Sequence, residues 1–222
     1  DHGAYALREA LEIGAGGSRR GAVRVRGVNS ATGAPMRALL RGTRARGEIG
    51  EEALVLGSGA DNLYFSHFDF RDIGNGCVHV SAPLSGLVVE DCGFENIYRF
   101  LENTASGGDA SLRNFTVRRC WGVRVERGFL RVRYASRSGL IEDCAAHGQA
   151  NEGGPIPAGC ALDDRAANIV YRRCVMEGFQ QWHVGAYWNG DGFSDESDNR
   201  NIRYENCEAR GSTDAGFDCK SP

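Results

Sequence analysis

The chain has 222 residues, 26 basic against 29 acidic side chains, and 41% hydrophobic residues. That length buries a core without staples, that composition excludes a disordered tail, and a net charge of -3 leaves no global basic field to hold a nucleic-acid backbone. Glycine is abundant at 31 residues and proline scarce at 5, a balance that favours tight turns between short elements over long helices or flexible linkers.

In chain order, Tyr5, Leu7, Ala10, Leu11 and Ile13 alternate with polar residues and predict a short amphipathic helix ended near Gly14–Gly17. It would form an N-terminal cap over residues 1–20, ahead of the strand-like AVRVRGV at 22–28. Five cysteines then close one recurring phrase: GLVVEDC at Cys92, NFTVRRC at Cys120, SGLIEDC at Cys144, NIVYRRC at Cys174 and NIRYENC at Cys207. The stretch NLYFSHF reads as an earlier copy with Phe68 in the cysteine place. Intervals of 28, 24, 30 and 33 residues fit duplication with loop insertions.

Within each copy apolar residues alternate, as Leu87 with Val89 or Ile169 with Tyr171, which is the pattern of a strand with one buried face. A second phrase follows and opens on glycine: GCVHV at 76–80, GFLRVRY at 128–134, GCALDD at 159–164, GFSDE at 192–196 and GFDCK at 216–220. Short strands that recur this way pair with their equivalents one coil on. The prediction is an all-β fold, a right-handed parallel β-helix of roughly seven rungs in one unit, 1–222, with rungs over 21–221 stacked at about 4.8 Å. The cysteines would form an inward ladder. Outside it, Glu90-Asp91, Arg118-Arg119, Glu142-Asp143, Arg172-Arg173 and Glu205-Asn206 alternate in sign, so stacked rungs avoid like-charge contact.

After the last rung no cap is readable, which leaves strand edges uncovered; either the chain is a fragment or something packs there, self-association through the C-terminal end included. No run of apolar residues is long enough for a membrane span, and the start at Asp1, without a charged and then apolar stretch, leads us to expect no signal peptide in the mature protein. Arginine outnumbers lysine 25 to one, Lys220 being the sole lysine, a bias of GC-rich bacterial genomes. A mature secreted or periplasmic bacterial protein fits.

The repeats resemble the pectin-lyase-like superfamily of right-handed β-helices over roughly residues 5–221, and are similar to bacterial right-handed β-helix repeat proteins without a settled activity. WNGDGFSDE at 188–196 with STDAGFDCKS at 212–221 resembles the order of acidic motifs in polygalacturonases. That resemblance implies Asp191 and Asp214 as an acidic pair. The paired Asp-Asp of the family's second motif is not intact, and its following Gly-His-Gly and Arg-x-Lys motifs have no counterpart here.

Alignment of the second phrases by their glycines puts Asp163, Glu196 and Lys220 in one outward column and Ala161, Ser194 and Asp218 in another. The carboxylates available for acid and base work are Asp163, Asp191, Asp195, Glu196, Asp214 and Asp218; neighbouring rungs give the separations that glycosidases use. Equally, these charges could form a ladder like the Glu/Arg one. Lys220 could pair with Glu196 or neutralise a uronate for β-elimination, and His183 is the best-placed histidine for proton transfer. Trp182, Tyr187 and Trp188 concentrate aromatic faces ahead of Asp191, suited to sugar stacking or to packing of their own loop.

No zinc spacing occurs among the cysteines, and no cofactor is predicted. Asp191, Asp195, Glu196 and Asp198 offer oxygen ligands that calcium accepts, without the spacing of a calcium loop. The leading expectation is a protein that binds and cleaves a polysaccharide, as hydrolase or lyase, with Asp163 and Asp195 among the substrate contacts. The alternative is a non-catalytic β-helix that binds glycan or serves as a structural or assembly module.

Overall fold

The structure, a computed structural model, describes residues 3–43, 51–152, 154, 156–182 and 189–222. It is all-β, with no helix among the described residues, and is built on a 13-stranded and an 8-stranded sheet plus one two-stranded pair. Strands pair in parallel with their equivalents one coil later, a connectivity consistent with a parallel β-helix. No helix is long and apolar enough to cross a membrane.

Each coil gives one segment to the smaller sheet and two to the larger one. The strand Phe68–Val80 shows the second arrangement: its first half pairs with Ala38–Arg41 and its second half with Leu54–Leu56. Between the halves of the next strand, Gly93–Asn103, the register shifts after Ile97, and Asp72, Asn96 and Arg124 stand there at positive φ. An irregularity of this kind bends a strand and divides the larger sheet into two stretches.

The expected N-terminal helix is not present. Ala4–Ala6 is a strand on Leu39–Arg41, and Leu11–Ile13 is a strand on Leu54–Leu56. The helical spacing covers too few residues to outweigh the unpaired N–H and C=O groups of the coil beneath, which any adjacent segment can satisfy by adding strands.

The cysteine phrases stack in register. Val89 and Val117 face each other across neighbouring strands, as do Ile141 and Tyr171, and Tyr171 and Tyr204. Cys92, Cys120, Cys144 and Cys174 are buried, and all eight cysteines are free. The Sγ of Cys120, Cys144 and Cys174 each lie within reach of a carbonyl on the preceding coil, 3.8, 3.6 and 3.5 Å away. Aromatic rings stack too, Phe100 on Phe129 at 5.3 Å inside the coils, and the buried Phe193 on the exposed Phe217 at 4.9 Å. Each buried ring of this size contributes about 2–3 kcal/mol of burial free energy.

The residue before each ladder cysteine turns the corner in the left-handed region: Asp91, Arg119, Asp143, Arg173 and Asn206 have φ between 51° and 54°. Such a conformation is costly for arginine, and rung-to-rung pairing helps to offset it. Arg119 bonds Asp91 at 2.7 Å, and Arg173 bonds Asp143 at 2.6 Å and Glu142 at 2.9 Å. Arg172 bridges Glu205 at 2.7 Å and Glu142 at 3.2 Å.

Three of the glycines that open the second phrases, Gly128, Gly159 and Gly192, are required by close approach. A Cβ on Gly128 would lie 2.5 Å from the Ala158 carbonyl oxygen, and one on Gly159 would lie 2.5 Å from that of Gly192. The coils that begin these segments at Gly128, Gly159 and Gly192 thus meet the next one backbone to backbone, where the candidate site is carried.

Candidate functional site

The second stretch of the larger sheet carries that site. Register pairs Ala161 with Ser194 and Ser194 with Asp218 as one outward column, and Cys160 with Phe193 and Phe217 as an inward one. One coil earlier the outward column continues through Arg131. Along this face runs a groove of about 370 Å³. It gathers Asp163, Asp191, Glu196, Asp214, Asp218 and Lys220, which the sequence had singled out, with Arg99, Arg127 and Arg131, which it had not.

Asp191 is the most confined of these acids at 5% exposure. It sits at the start of the strand Asp191–Asp195, held at the corner where its Oδ1 accepts the Ala215 amide at 3.2 Å. Burial pushes its carboxyl up to about 6; Asp218 and Asp214 add to the shift, while the Ala215 amide and Lys220 oppose it. A carboxyl so placed is a proton donor in mildly acid solution.

Lys220 lies 2.7 Å from Asp218 and 3.4 Å from Glu196. Its hydrogen bond to Asp218 is the chief cause that raises it to about 12, so it is a fixed cation and not a base. Asp163 closes on Arg131 at 2.8 Å. The charges of this column therefore form pairs, as the ladder alternative required, yet they line an open groove.

The basic end is built differently. Arg99 is 5% exposed and paired with Glu102, whose other oxygen lies 3.6 Å from His79 Nδ1. Burial opposes the charge of Glu102, but His79 and Arg99 outweigh it and hold that carboxyl down at about 2. Burial also opposes a charge on His79, and Glu102 reverses that and raises it. Arg127 donates to the Tyr98 hydroxyl at 3.0 Å and forms no ion pair with any described residue. The groove thus has an acid cluster at one end and, at the other, a guanidinium that pairs with no carboxylate among the described residues.

Asp195 does not join the groove. It is 1% exposed, on the inward column, where its carboxylate accepts from the Tyr204 hydroxyl at 3.0 Å and the Ser221 amide at 2.8 Å. Alternation explains the placement: it lies two residues beyond Phe193, on the same side of the strand. Trp182 is exposed on the strand Gln181–Trp182 and does not line the groove. His183, Tyr187 and Trp188 lie outside the described residues. Among the described residues no cluster of side chains could hold a metal ion.

Only the Arg side of the site escaped the sequence. The alternation Arg131-Val132-Arg133 signals an outward column opposite the acids, but Arg99 and Arg127 lie beside the bend, where strand periodicity fails. No family model, curated protein or solved structure matches the chain.

Proposed function

We propose that this protein is a right-handed parallel β-helix of the pectin-lyase-like kind, secreted or periplasmic, and that its groove cleaves an acidic polysaccharide by hydrolysis. The observation that carries the reading is Asp191: a confined carboxyl, pushed up to about 6, in an open groove beside Asp214 and Asp218. Asp191 protonates the glycosidic oxygen as the bond breaks, and Asp218 takes the proton of the attacking water. Asp214 adds negative charge that favours the oxocarbenium-like transition state.

Arg127 supplies the cation for a sugar carboxylate, and Arg99, fixed by Glu102, keeps that end of the groove positive. Lys220 and Glu196 border the reacting ring, and Asp163 with Arg131 forms the floor between the two ends. Hydrolysis is favoured over β-elimination because Lys220, bound to two carboxylates, is no base.

The test is a screen on uronate and neutral polysaccharides that follows reducing ends and the ultraviolet absorbance of unsaturated uronate. Reducing ends without absorbance, lowered about a hundredfold or more in Asp191→Asn, are expected. Absorbance lost in Lys220→Ala would make the protein a lyase. Silence on all substrates favours the second reading, a non-catalytic glycan-binding or assembly module, which the Lys220–Asp218 and Arg131–Asp163 pairs support.

A further inference from the structure

The first stretch of the larger sheet, on the other side of the bend, carries a second concavity of about 380 Å³. Register sets one outward column through Leu39, Asp69, Gly93, Trp121 and Ala145. In it Trp121, 55% exposed, stands between a glycine and an alanine, so no neighbour in the column covers its ring. The next outward column runs through Arg41, Arg71, Glu95 and Val123.

Gly93 is the floor. A Cβ there would lie 2.2 Å from Asp69 Oδ1 and 2.9 Å from Arg37 Nη1, so the Arg37–Asp69 pair can lie across the column only because that side chain is missing. This pair, 3.1 Å long, forms one wall and carries the Arg37 guanidinium to 5.8 Å from the Trp121 ring centroid. Arg71 and Glu95, 2.7 Å apart, form the other. From the Leu39 rung to the Trp121 rung is three strand spacings, about 14 Å.

We infer that this concavity is a binding site for a neutral oligosaccharide, separate from the groove. An indole face packs against the C–H face of a pyranose, while exposed ion pairs keep donors and acceptors for its hydroxyls. The lining itself holds two arginines and two acids, and Arg124, 2.6 Å from Glu95, lies outside it, so every charge that faces the concavity is in an ion pair and none is left over to select an anion. The groove, where Arg127 pairs with no carboxylate among the described residues, is built for the opposite choice. The site holds a glycan on the outside of the coils without cleaving it, and it goes beyond the hydrolytic reading because it needs no catalytic group.

Calorimetric and tryptophan-fluorescence titrations with gluco-, galacto- and manno-configured neutral oligosaccharides, and with uronate oligosaccharides beside them, test it on the wild type, Trp121→Ala, Arg71→Ala and Asp191→Asn. Saturable binding by the wild type and by Asp191→Asn is expected, weakened about tenfold or more in Trp121→Ala. Thermal melts check that Trp121→Ala folds; Arg71→Ala, which removes one donor from the wall, must weaken binding independently. Absence of saturable binding to every neutral oligosaccharide, or equal binding by both wall variants and the wild type, overturns the inference. Binding confined to acidic oligosaccharides and altered in Asp191→Asn also overturns it and places the glycan in the groove, so the two sites fail separately.

Discussion

Two series of charges run from coil to coil, and they are made of the same residues to different ends. On the corner before the cysteines, Glu90, Arg118, Glu142, Arg172 and Glu205 alternate, and the arginines reach carboxylates on one or both adjoining coils. Along the groove the alternation breaks: Asp191 is desolvated among acids, and Arg127, among the described residues, meets a phenol in place of a carboxylate. Closed pairs at a rim are structural; charges confined without compensation are costly to fold, and such cost accumulates where a protein needs reactivity.

The sharpest break of this contrast comes from Glu102. Glu102→Ala strands the buried Arg99 without its counter-ion and should destabilise the fold by about 3–5 kcal/mol, read by urea denaturation. In the wild type the contribution of Glu102 has a defined acid limit. Its folded value of about 2 lies below the ordinary 4.5, so this stability is full above about pH 4.5 and is lost as pH falls through 2. A flat profile across that window would remove the distinction between confined and rim charges.

Asp191 should behave with the opposite sign. Its folded value of about 6 lies above the ordinary 3.8, so the folded state binds the proton more tightly and loses stability as pH rises from about 4 to 6. Asp191→Asn should therefore be more stable than the wild type by on the order of 1–2 kcal/mol near about pH 8, and equal to it near about pH 3.5. Melting curves at the two pH values check this. A variant that is inactive yet more stable would mark the residue as functional, whereas loss of stability would return it to the structural series.

The smallest effect belongs to the rim. Arg173→Ala removes exposed ion pairs with Glu142 and Asp143 and should cost no more than about 1 kcal/mol, less in high salt. Because Arg173 sits at positive φ, Arg173→Gly should recover part of the loss by relief of the corner. If Arg173→Ala cost as much as Glu102→Ala, the corner charges would be as confined as the buried ones.

Much of this was legible in the sequence for one reason: a coil that repeats its strand writes the same residue types at the same offsets. The glycine-anchored alignment placed Ala161, Ser194 and Asp218 in one column, as the backbone pairing does. Cys92, Cys120, Cys144 and Cys174 were likewise legible as inward residues. What failed lies where the repeat does not reach. Tyr5 and the residues from Leu11 to Ile13 belong to strands that obey a template in the next coil, not their own spacing. Asp195 was taken with its acidic neighbours, although its parity with Phe193 turns it inward. Arg99 and Arg127 flank a register shift, and no periodic pattern survives one.

The buried thiols have a consequence beyond packing. Burial raises Cys77 and Cys160 well above an ordinary thiol, and the sulfurs of Cys92, Cys120, Cys144 and Cys174 are buried as well, whereas Cys207 is half-buried and Cys219 exposed. An alkylating reagent can reach a buried sulfur only when its own coil comes open. The buried cysteines are therefore position-stamped reporters spaced along the axis: mass spectrometry of partly labelled protein would rank the coils by how often each one breathes, without any probe being introduced.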